Sequence, residues 1–196
     1  MKKLLLLIAY VVTVTLLNAT DLNLSGGLTF PHTNDGTTGI NLAASLLIGP
    51  DGAAFYVEPG IRYKSLNFYN KYPSYYYIEE SAASLNYIDL FTKVKFNPVQ
   101  NFKTNVLIYP FIGMVAGISL GGEEEYSEGE GYKYTYDIKA KNMTGVLCSI
   151  SLGMDVLIND KFIVGMEYDR ALNSIFPSRT LKYRTLLINI GYKISM

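Results

Sequence analysis

Apolar residues alternate with small or polar residues along most of this chain, in eight segments of about ten residues each. In the clearest segment, the last one, Leu186, Ile188, Ile190, Tyr192, Ile194 and Met196 share one face, and Thr185, Asn189, Gly191, Lys193 and Ser195 share the other. A period of two is typical of β-strands, and Gly, Pro, Asn or Asp residues bound the segments. The pattern predicts strands at 21–30, 39–48, 54–65, 84–96, 106–120, 144–157, 162–170 and 184–195.

The connections between these predicted strands differ in length in a regular way. The even-numbered connections are short, at 49–52, 97–104 and 159–161. Among the odd-numbered ones, 66–83 and 121–143 are long, 171–183 is intermediate, and 31–38 is a short exception. Outer-membrane barrels have short periplasmic turns and longer outer loops, and an even strand count leaves both termini in the periplasm.

The two faces of the strands indicate which side is turned outward. Small residues fit the interior of an eight-stranded barrel, which is only just wide enough for side chains. They occur here at Gly27, Asn41, Ala43, Ser45, Gly60, Gly113, Gly117, Gly145, Ser149, Ser151, Gly153, Gly165 and Gly191. The bulky face would overfill that interior; it carries Ile40, Leu42, Leu46, Ile88, Leu90, Val94, Val146, Ile150, Leu152 and Val156. A soluble lipocalin-like barrel would have the opposite arrangement. The sequence therefore predicts an all-β fold, a monomeric eight-stranded antiparallel up-and-down transmembrane β-barrel of the outer-membrane type.

Charged residues on the inner face are nearly balanced. The acidic ones are Glu58, Asp89, Asp155, Glu167 and Asp169, and the basic ones are Arg62, Lys64, Lys93, Lys95 and Lys193. Buried charges are tolerated when they are paired. We therefore expect a lumen filled by salt bridges, although the sequence does not assign individual pairs. Pro59 and Pro110 fall inside predicted strands, which indicates either bulges or misplaced boundaries.

The first residues have the pattern of a secretory signal peptide. Lys2 and Lys3 precede an apolar run at 4–17, and 18–20 offers a cleavage site. A transmembrane helix is the alternative, but this run is short of the roughly 20 residues that span a bilayer. We predict a signal peptide at 1–19, a barrel domain at 20–196, and export to the outer membrane of a Gram-negative envelope.

Composition narrows the function classes. The chain has 17 basic and 17 acidic residues, so losing Lys2 and Lys3 leaves a net charge near −2, which gives no indication of nucleic-acid binding. Cys148 is the only cysteine, so no intramolecular disulfide is possible, and it is expected to face lipid as an unreactive thiol. The 17 Tyr and 9 Phe suit the membrane interfaces, although they also pack well in ordinary strands.

Several short stretches carry a family resemblance that extends over nearly all of the mature chain. They are 56–63 (YVEPGIRY), 85–90 (LNYIDL), 109–113 (YPFIG), 165–168 (GMEY) and 190–194 (IGYKI). In their order and spacing the chain resembles the small PorT-like outer-membrane β-barrel proteins and, more loosely, the eight-stranded OmpA-type barrel. The resemblance implies an outer-membrane barrel; some members are linked to protein secretion, and no catalytic residues come with it.

Three exposed features are candidates for chemistry or binding. His32 is the only histidine, and Ser25, Ser174, Asp35 and Glu79 are its conceivable partners in a lipid-modifying enzyme. An acidic outer loop has oxygen ligands suited to Ca²⁺ or to bridging lipopolysaccharide through divalent ions, but it lacks a calcium-loop spacing, so a hydrated loop is favoured. That loop contains Glu123, Glu124, Glu125, Tyr126, Glu128, Glu130, Tyr132, Tyr134, Tyr136 and Asp137. The Tyr-rich stretch 69–77 is suited equally to partner contact or to an aromatic girdle.

These observations predict a structural or interaction role and no enzyme activity, with no catalytic residue, cofactor or metal ligand assigned. The expected partners are outer-membrane lipid and lipopolysaccharide, the outer-membrane assembly machinery and a protein bound through the outer loops. The assembly signal of the last strand ends in Met196 rather than in an aromatic residue. A narrow, porin-like pore or envelope secretion component, a lipid-modifying enzyme using His32, and a soluble periplasmic barrel remain as alternatives.

Overall fold

The computed structural model describes residues 19–32, 36–50, 52–73, 78–98, 105–128, 132–139, 143–175 and 183–196. The predicted signal peptide lies almost entirely outside these residues and stays a prediction. No helix among the described residues is long and apolar enough to cross a membrane. Within these described ranges the regular structure is entirely β-strand.

Ten strands follow one another along the chain. They are β1 (Ala19–Pro31), β2 (Gly36–Thr37), β3 (Gly39–Ile48), β4 (Phe55–Pro73), β5 (Ile78–Phe96), β6 (Val106–Glu128), β7 (Tyr132–Ile138), β8 (Val146–Ile158), β9 (Phe162–Ala171) and β10 (Arg184–Ser195). Eight of them form a closed antiparallel barrel, in which each strand pairs with the next and β1 pairs with β10. The short β2 pairs only with β4, and β7 pairs only with β6, among the described residues. The predicted fold class is confirmed.

Two stretches that the sequence predicts to be loops are mostly strand. Residues 66–83 continue the β4–β5 hairpin, whose pairing runs without interruption to Pro73↔Ile78. Residues 121–143 contain the end of β6 and the whole of β7. The sequence boundaries were set where apolar alternation stops, but backbone pairing does not stop there. Where a strand extends beyond the apolar outer surface, both of its faces can be polar. Its sequence pattern then resembles that of a loop.

The short connections have the turn chemistry that the sequence predicts. Asn159 and Asp160 both have positive φ angles, of 52° and 57°, and are the central residues of the turn between Ile158 and Lys161. The Lys161 amide closes it by donating to the Ile158 carbonyl at 3.2 Å. Asn and Asp tolerate this conformation, which matches the twist of the flanking strands.

The prolines in the strands are accommodated by gaps in pairing. β3 and β4 pair at Ser45↔Gly60 and again at Ile48↔Val57, in the same register, and the ladder is open between these pairs at Pro59. This gap leaves Pro59, which has no N–H, out of the β3 ladder without requiring a bulge. Pro110 pairs with Met154 of β8, and the ladder between β5 and β6 ends one residue away, at Lys95↔Phe111. The predicted boundaries at both prolines are therefore correct.

The outer surface of the barrel is apolar, as the sequence predicts. Met114 is 70% exposed, Ile190 68% and Leu42 60%, whereas residues of opposite parity are buried inside. Cys148 is exposed on the same surface, in agreement with the prediction. Gly145 departs from its predicted inward position, because it precedes β8 and is exposed.

Aromatic rings cluster on the outer surface near the short turns. The rings of Phe55 and Phe96 lie 5.3 Å apart, and those of Phe162 and Tyr192 lie 5.5 Å apart. Both pairs join neighbouring strands at the end of the barrel that carries the chain termini. This position is typical of the aromatic girdle that borders the apolar band of a membrane barrel.

Candidate functional site

Arg62 is the centre of a buried ionic network in the lumen. Its Nη2 lies 2.9 Å from Asp89 Oδ2 and 2.7 Å from Asp169 Oδ2, and its Nη1 lies 3.1 Å from Glu167 Oε1. The side chain is only 2% exposed. These contacts join β4 to β5 on one side and to β9 across the barrel, because a guanidinium group donates in several directions of one plane.

Lys64 extends this network toward the outer end of the barrel. Its Nζ lies 2.9 Å from Asp89 and 3.4 Å from Asp169, and it donates to the Tyr183 hydroxyl at 3.0 Å. The same hydroxyl lies 3.1 Å from Ser149 Oγ on β8. The charges nearest the outer end of the barrel are thereby linked to Tyr183, which lies directly before β10.

Two further lysines fill the middle and lower lumen. The Lys93 ammonium lies 2.7 Å from Glu167, and Lys95 bridges Glu58 at 2.7 Å and Asp155 at 2.6 Å. Phe91 and Phe111 contact Lys93 as well, with ring centroids 4.9 Å and 4.4 Å from its Nζ. Each charge is compensated by a carboxylate or an aromatic face, which is the condition for burying it.

The predicted set of inner charges is confirmed, since every member forms a salt bridge inside the barrel. The sequence analysis missed Asp21, whose Oδ2 lies 3.4 Å from Lys193 Nζ near the short-turn end. Asp21 is the first residue of the predicted strand 21–30. At the end of a strand, the alternation gives the least information about which face a side chain is on. Its alternation with Asn23 and Ser25 on β1 is the signal that would have found it.

The filled lumen leaves little space for solutes. One cavity of about 20 Å³ is lined by residues such as Asn23, Glu58, Lys93 and Asn189, and a second of the same size lies nearer Tyr109 and Lys193. A cavity of this size holds about one water molecule. The described lumen is thus a packed interior rather than an aqueous channel.

An apolar cluster closes the lumen above the charges, and the sequence analysis did not predict it. Its members are Leu66, Phe68, Leu85, Tyr87, Met143, Leu147, Ala171, Ile175 and Tyr183. Part of the cluster comes from connections that fold over the mouth: the Thr144 amide donates to the Ile175 carbonyl at 2.7 Å, and Thr144 Oγ1 donates to the Ser174 carbonyl at 2.6 Å. The even numbers of Leu66 and Phe68 place them on the inner face if the strand continues, but the alternation predicts a loop at 66–83. We name this group the apolar cap.

Beyond the barrel rim, four strands continue as an open sheet. Pairing between β6 and β8 ends at Ile118↔Val146, and β7 then takes the place of β8, from Gly122↔Ile138 to Glu128↔Tyr132. The other edge of β6 pairs with β5 up to Glu79↔Glu128, and β5 pairs with β4. We call the part of β4 to β7 beyond the rim the outer sheet.

A β-bulge marks the point where the outer sheet leaves the barrel. Asn86 pairs with Gly121 and Tyr87 with Ser119, so Leu120 is the extra residue of β6. Gly121 has a φ of 96°, a conformation that favours glycine. The Ser119 hydroxyl accepts from the Gly121 amide at 3.2 Å and donates to Met143 Sδ at 2.8 Å. A bulge bends its strand, and this one redirects β6 from barrel to outer sheet.

The acidic and tyrosine residues of the predicted acidic loop lie on β6 and β7 of this sheet, except Glu130, which lies outside the described residues. Glu123 and Asp137 are directly opposite each other on β6 and β7, and both are exposed. Tyr134 and Tyr136, at 45% and 58% exposure, belong to the other face, opposite Tyr126 and Glu124. Tyr69 lies in β4, whereas 74–77 of the Tyr-rich stretch lie outside the described residues. No group of three His, Cys, Asp or Glu positioned for a metal ion occurs among the described residues.

Among the described residues, no hydrogen bond joins His32 to Ser25 or Ser174, two of the residues considered for a histidine-based enzyme. His32 is exposed, and its backbone amide donates to the Arg184 carbonyl at 2.7 Å. Ser25 lines the lumen cavity seven residues away on β1, which is roughly 23 Å along an extended strand. The Ser174 carbonyl accepts from Thr144. Asp35 and the side chain of Glu79 lie outside what the structure describes.

Comparison with known proteins found matches among solved structures only. No protein-family model matches the sequence, and a search of curated proteins gave no match. Neisserial surface protein A is 9% identical over 90% of this chain and 96% of its own, with a TM-score of 0.49. The attachment invasion locus protein Ail of Yersinia pestis, in complex with the heparin analogue sucrose octasulfate, is 14% identical over 90% and 99% of the two chains, with a TM-score of 0.46. The N-terminal β-barrel domain of Pseudomonas aeruginosa OprF is 9% identical over 90% and 98%, with a TM-score of 0.44.

Similarities this distant transfer no activity, ligand or partner to this chain. The eight-stranded barrel is established by the pairing of its own strands. Membership of the PorT-like family stays a prediction.

Proposed function

We propose that this chain is an integral outer-membrane β-barrel with a structural or interaction role, and that its outer sheet is the contact surface. The observation that carries the proposal is the contrast between the two parts of the molecule. The lumen is filled by paired charges and closed by the apolar cap, whereas the outer sheet has exposed residues on β6 and β7, and no described strand pairs with the edge of β7 away from β6. A barrel with a packed lumen that projects a sheet is suited to anchoring and presenting that sheet.

The exterior supports insertion in a membrane. β8 alternates lipid-facing and inward residues over its whole length, Val146–Ile158. At ~3.4 Å per residue and a tilt of ~40°, this strand spans roughly 30 Å, enough for the apolar band of a membrane barrel. A water-soluble barrel with so many exposed apolar side chains would aggregate. Lipid and the outer-membrane assembly machinery are the partners that this surface implies.

Fractionation of cells tests the proposed location. We expect the chain in the outer-membrane fraction, with a gel mobility that changes on heating because the closed barrel resists unfolding in detergent. Cleavage of the leader is expected to give an N-terminus at or near Thr20 when the mature protein is sequenced. Release with the periplasmic fraction would contradict the proposal and favour the soluble barrel.

The narrow-pore alternative makes a distinct electrical prediction. Because each of the two lumen cavities holds about one water molecule, we expect no resolved conductance steps from the purified protein in planar bilayers. An open general porin in the same bilayers is the positive control, and heat-modifiable mobility of the recovered sample shows that the inserted protein is folded. Reproducible single-channel steps from the folded protein would support the pore instead.

The enzyme alternative depends on His32. Because Ser25 lies well along β1 from His32 and no hydrogen bond joins His32 to Ser174 among the described residues, we expect His32→Ala to leave the composition of the envelope lipids unchanged. Mass spectrometry of lipid A and phospholipids from cells that overproduce the wild type, the variant or neither protein provides the comparison. A lipid modification that requires the wild-type histidine would contradict a purely structural or interaction role.

A further inference from the structure

We propose that the edge of β7 away from β6, which no described strand covers, binds an extended, cationic peptide segment of a partner protein by strand addition. The inference rests on the proposed function, since it requires the outer sheet to be displayed at the cell surface. It goes further by identifying the edge that is used and the chemistry of the segment that fits it.

The backbone of β7 supplies the first argument. Seven residues, Tyr132–Ile138, pair with β6 in one continuous register, and among the described residues β7 pairs with no other strand. Such an edge presents a row of N–H and C=O groups that another extended chain can pair with. Natural edges are usually blocked by proline, a bulge or inward charge. β7 has no proline, its register has no bulge, and Lys133 is its only basic residue.

Charge supplies the second argument. Carboxylates dominate this part of the outer sheet, with Glu123, Glu124, Glu125, Glu128 and Asp137 on β6 and β7 against Lys133. Glu123 and Asp137 are directly opposite on an exposed face, an arrangement that destabilises a sheet. A lysine or arginine of an added strand, opposite Asp137, would compensate this repulsion.

The other face of β7 determines the alternate side chains of the partner. Tyr134 and Tyr136 are exposed there, and half-buried Ile138 packs against the apolar cap. Apolar or β-branched residues of an added strand would pack beside these rings. The segment that fits therefore alternates basic and apolar residues.

A second copy in the same membrane fits this edge poorly. Two barrels related by a two-fold axis along the membrane normal would bring their β7 strands together in parallel or crossed, not antiparallel. The acidic β6 strands of both copies would also approach each other. Geometry and charge therefore both favour a heterologous cationic segment.

Binding is tested on the full mature barrel in lipid nanodiscs. The probe is a fluorescent peptide of alternating lysine and valine, seven residues long to match β7, and the comparison peptide has glutamate in place of lysine. We expect fluorescence anisotropy to show saturable binding of the lysine peptide only, weakened by salt. We also expect the peptide to slow amide hydrogen exchange in residues 132–138.

Matched variants distinguish binding at the edge of β7 from general electrostatic attraction to the protein. Asp137→Asn is expected to weaken lysine-peptide binding about two- to fivefold, the range for one exposed ion pair. Asp160→Asn makes the same chemical change in the turn at the opposite end, where Asn tolerates the positive φ, and is expected to leave binding unchanged. Folding of each variant is verified by heat-modifiable mobility.

Three outcomes would overturn the inference: no binding, equal binding of both peptides, or binding without slower exchange in β7. Slow exchange of β7 that depends on protein concentration without peptide would assign the edge to a second copy instead. A separate experiment tests whether the outer sheet is displayed at the cell surface. Intact cells that carry Cys148→Ser with Tyr136→Cys are treated with a membrane-impermeant maleimide. Labelling without peptide binding leaves the proposed function standing and rejects this inference, whereas absence of labelling rejects both.

Discussion

Replacing Arg62 with methionine is expected to lower the free energy of unfolding by about 3 kcal/mol or more, because a buried cation is removed from three carboxylates. Arg62 contacts Asp89, Glu167 and Asp169 within 3.1 Å, and all four groups are nearly inaccessible to solvent. Methionine has a similar length but donates no hydrogen bond. Lys64 and Lys93 still neutralise part of the remaining charge, so we expect a destabilised barrel rather than one that fails to fold.

The measurement is urea unfolding in detergent micelles, followed by circular dichroism and heat-modifiable mobility, since the chain has no Trp for fluorescence. Arg170→Met is the matched control, because Arg170 is exposed on β9 directly opposite Arg184. We expect the control to change stability by no more than about 0.5 kcal/mol. Arg62→Lys is expected to be intermediate, since one ammonium group cannot reach three acceptors. Equal stability of Arg62→Met and Arg170→Met would show that the network contributes nothing.

The composition of this network was predictable from sequence, whereas its pairings were not. Side-chain direction in a strand depends only on parity, so the inward position of Arg62 or Glu167 follows from the local pattern. The contact from Arg62 to Asp169 joins residues 107 positions apart. It depends on the stagger between strands around the whole barrel, which no local pattern encodes.

The apolar cap and the outer sheet were missed for a related physical reason. Local alternation indicates the apolar outer surface of the barrel, and it ends where that surface ends. Above that level, paired strands and loops have the same mixed composition, so β7 resembles a hydrated acidic loop. The cap also draws on Ile175 and Tyr183 from a connection, and their burial is decided by how that connection folds over the mouth.

A lysine in the middle of the lipid-facing surface is expected to cost nearly as much as breaking the inner network. Met114 is 70% exposed and lies near the middle of the barrel part of β6, between Val106 and the bulge at Leu120. If this surface faces hydrocarbon, Met114→Lys is expected to destabilise the barrel by about 2–4 kcal/mol in a bilayer, the range for lysine at the midplane. If the surface faced water, the same substitution would change stability by about 0.5 kcal/mol or less.

The matched control for this experiment is a position on the same strand that lies closer to the end of the barrel. Val106 is 46% exposed on the same face of the same strand, at the short-turn end, and Val106→Lys is expected to cost only about 0–1 kcal/mol because its ammonium group reaches the interface. Both variants are compared with the wild type by reversible urea unfolding in phospholipid vesicles. A large cost at Met114 with a small cost at Val106 identifies an apolar band whose centre is Met114. Equal, small costs at both positions would mean that water surrounds the barrel, which would contradict its insertion in a membrane.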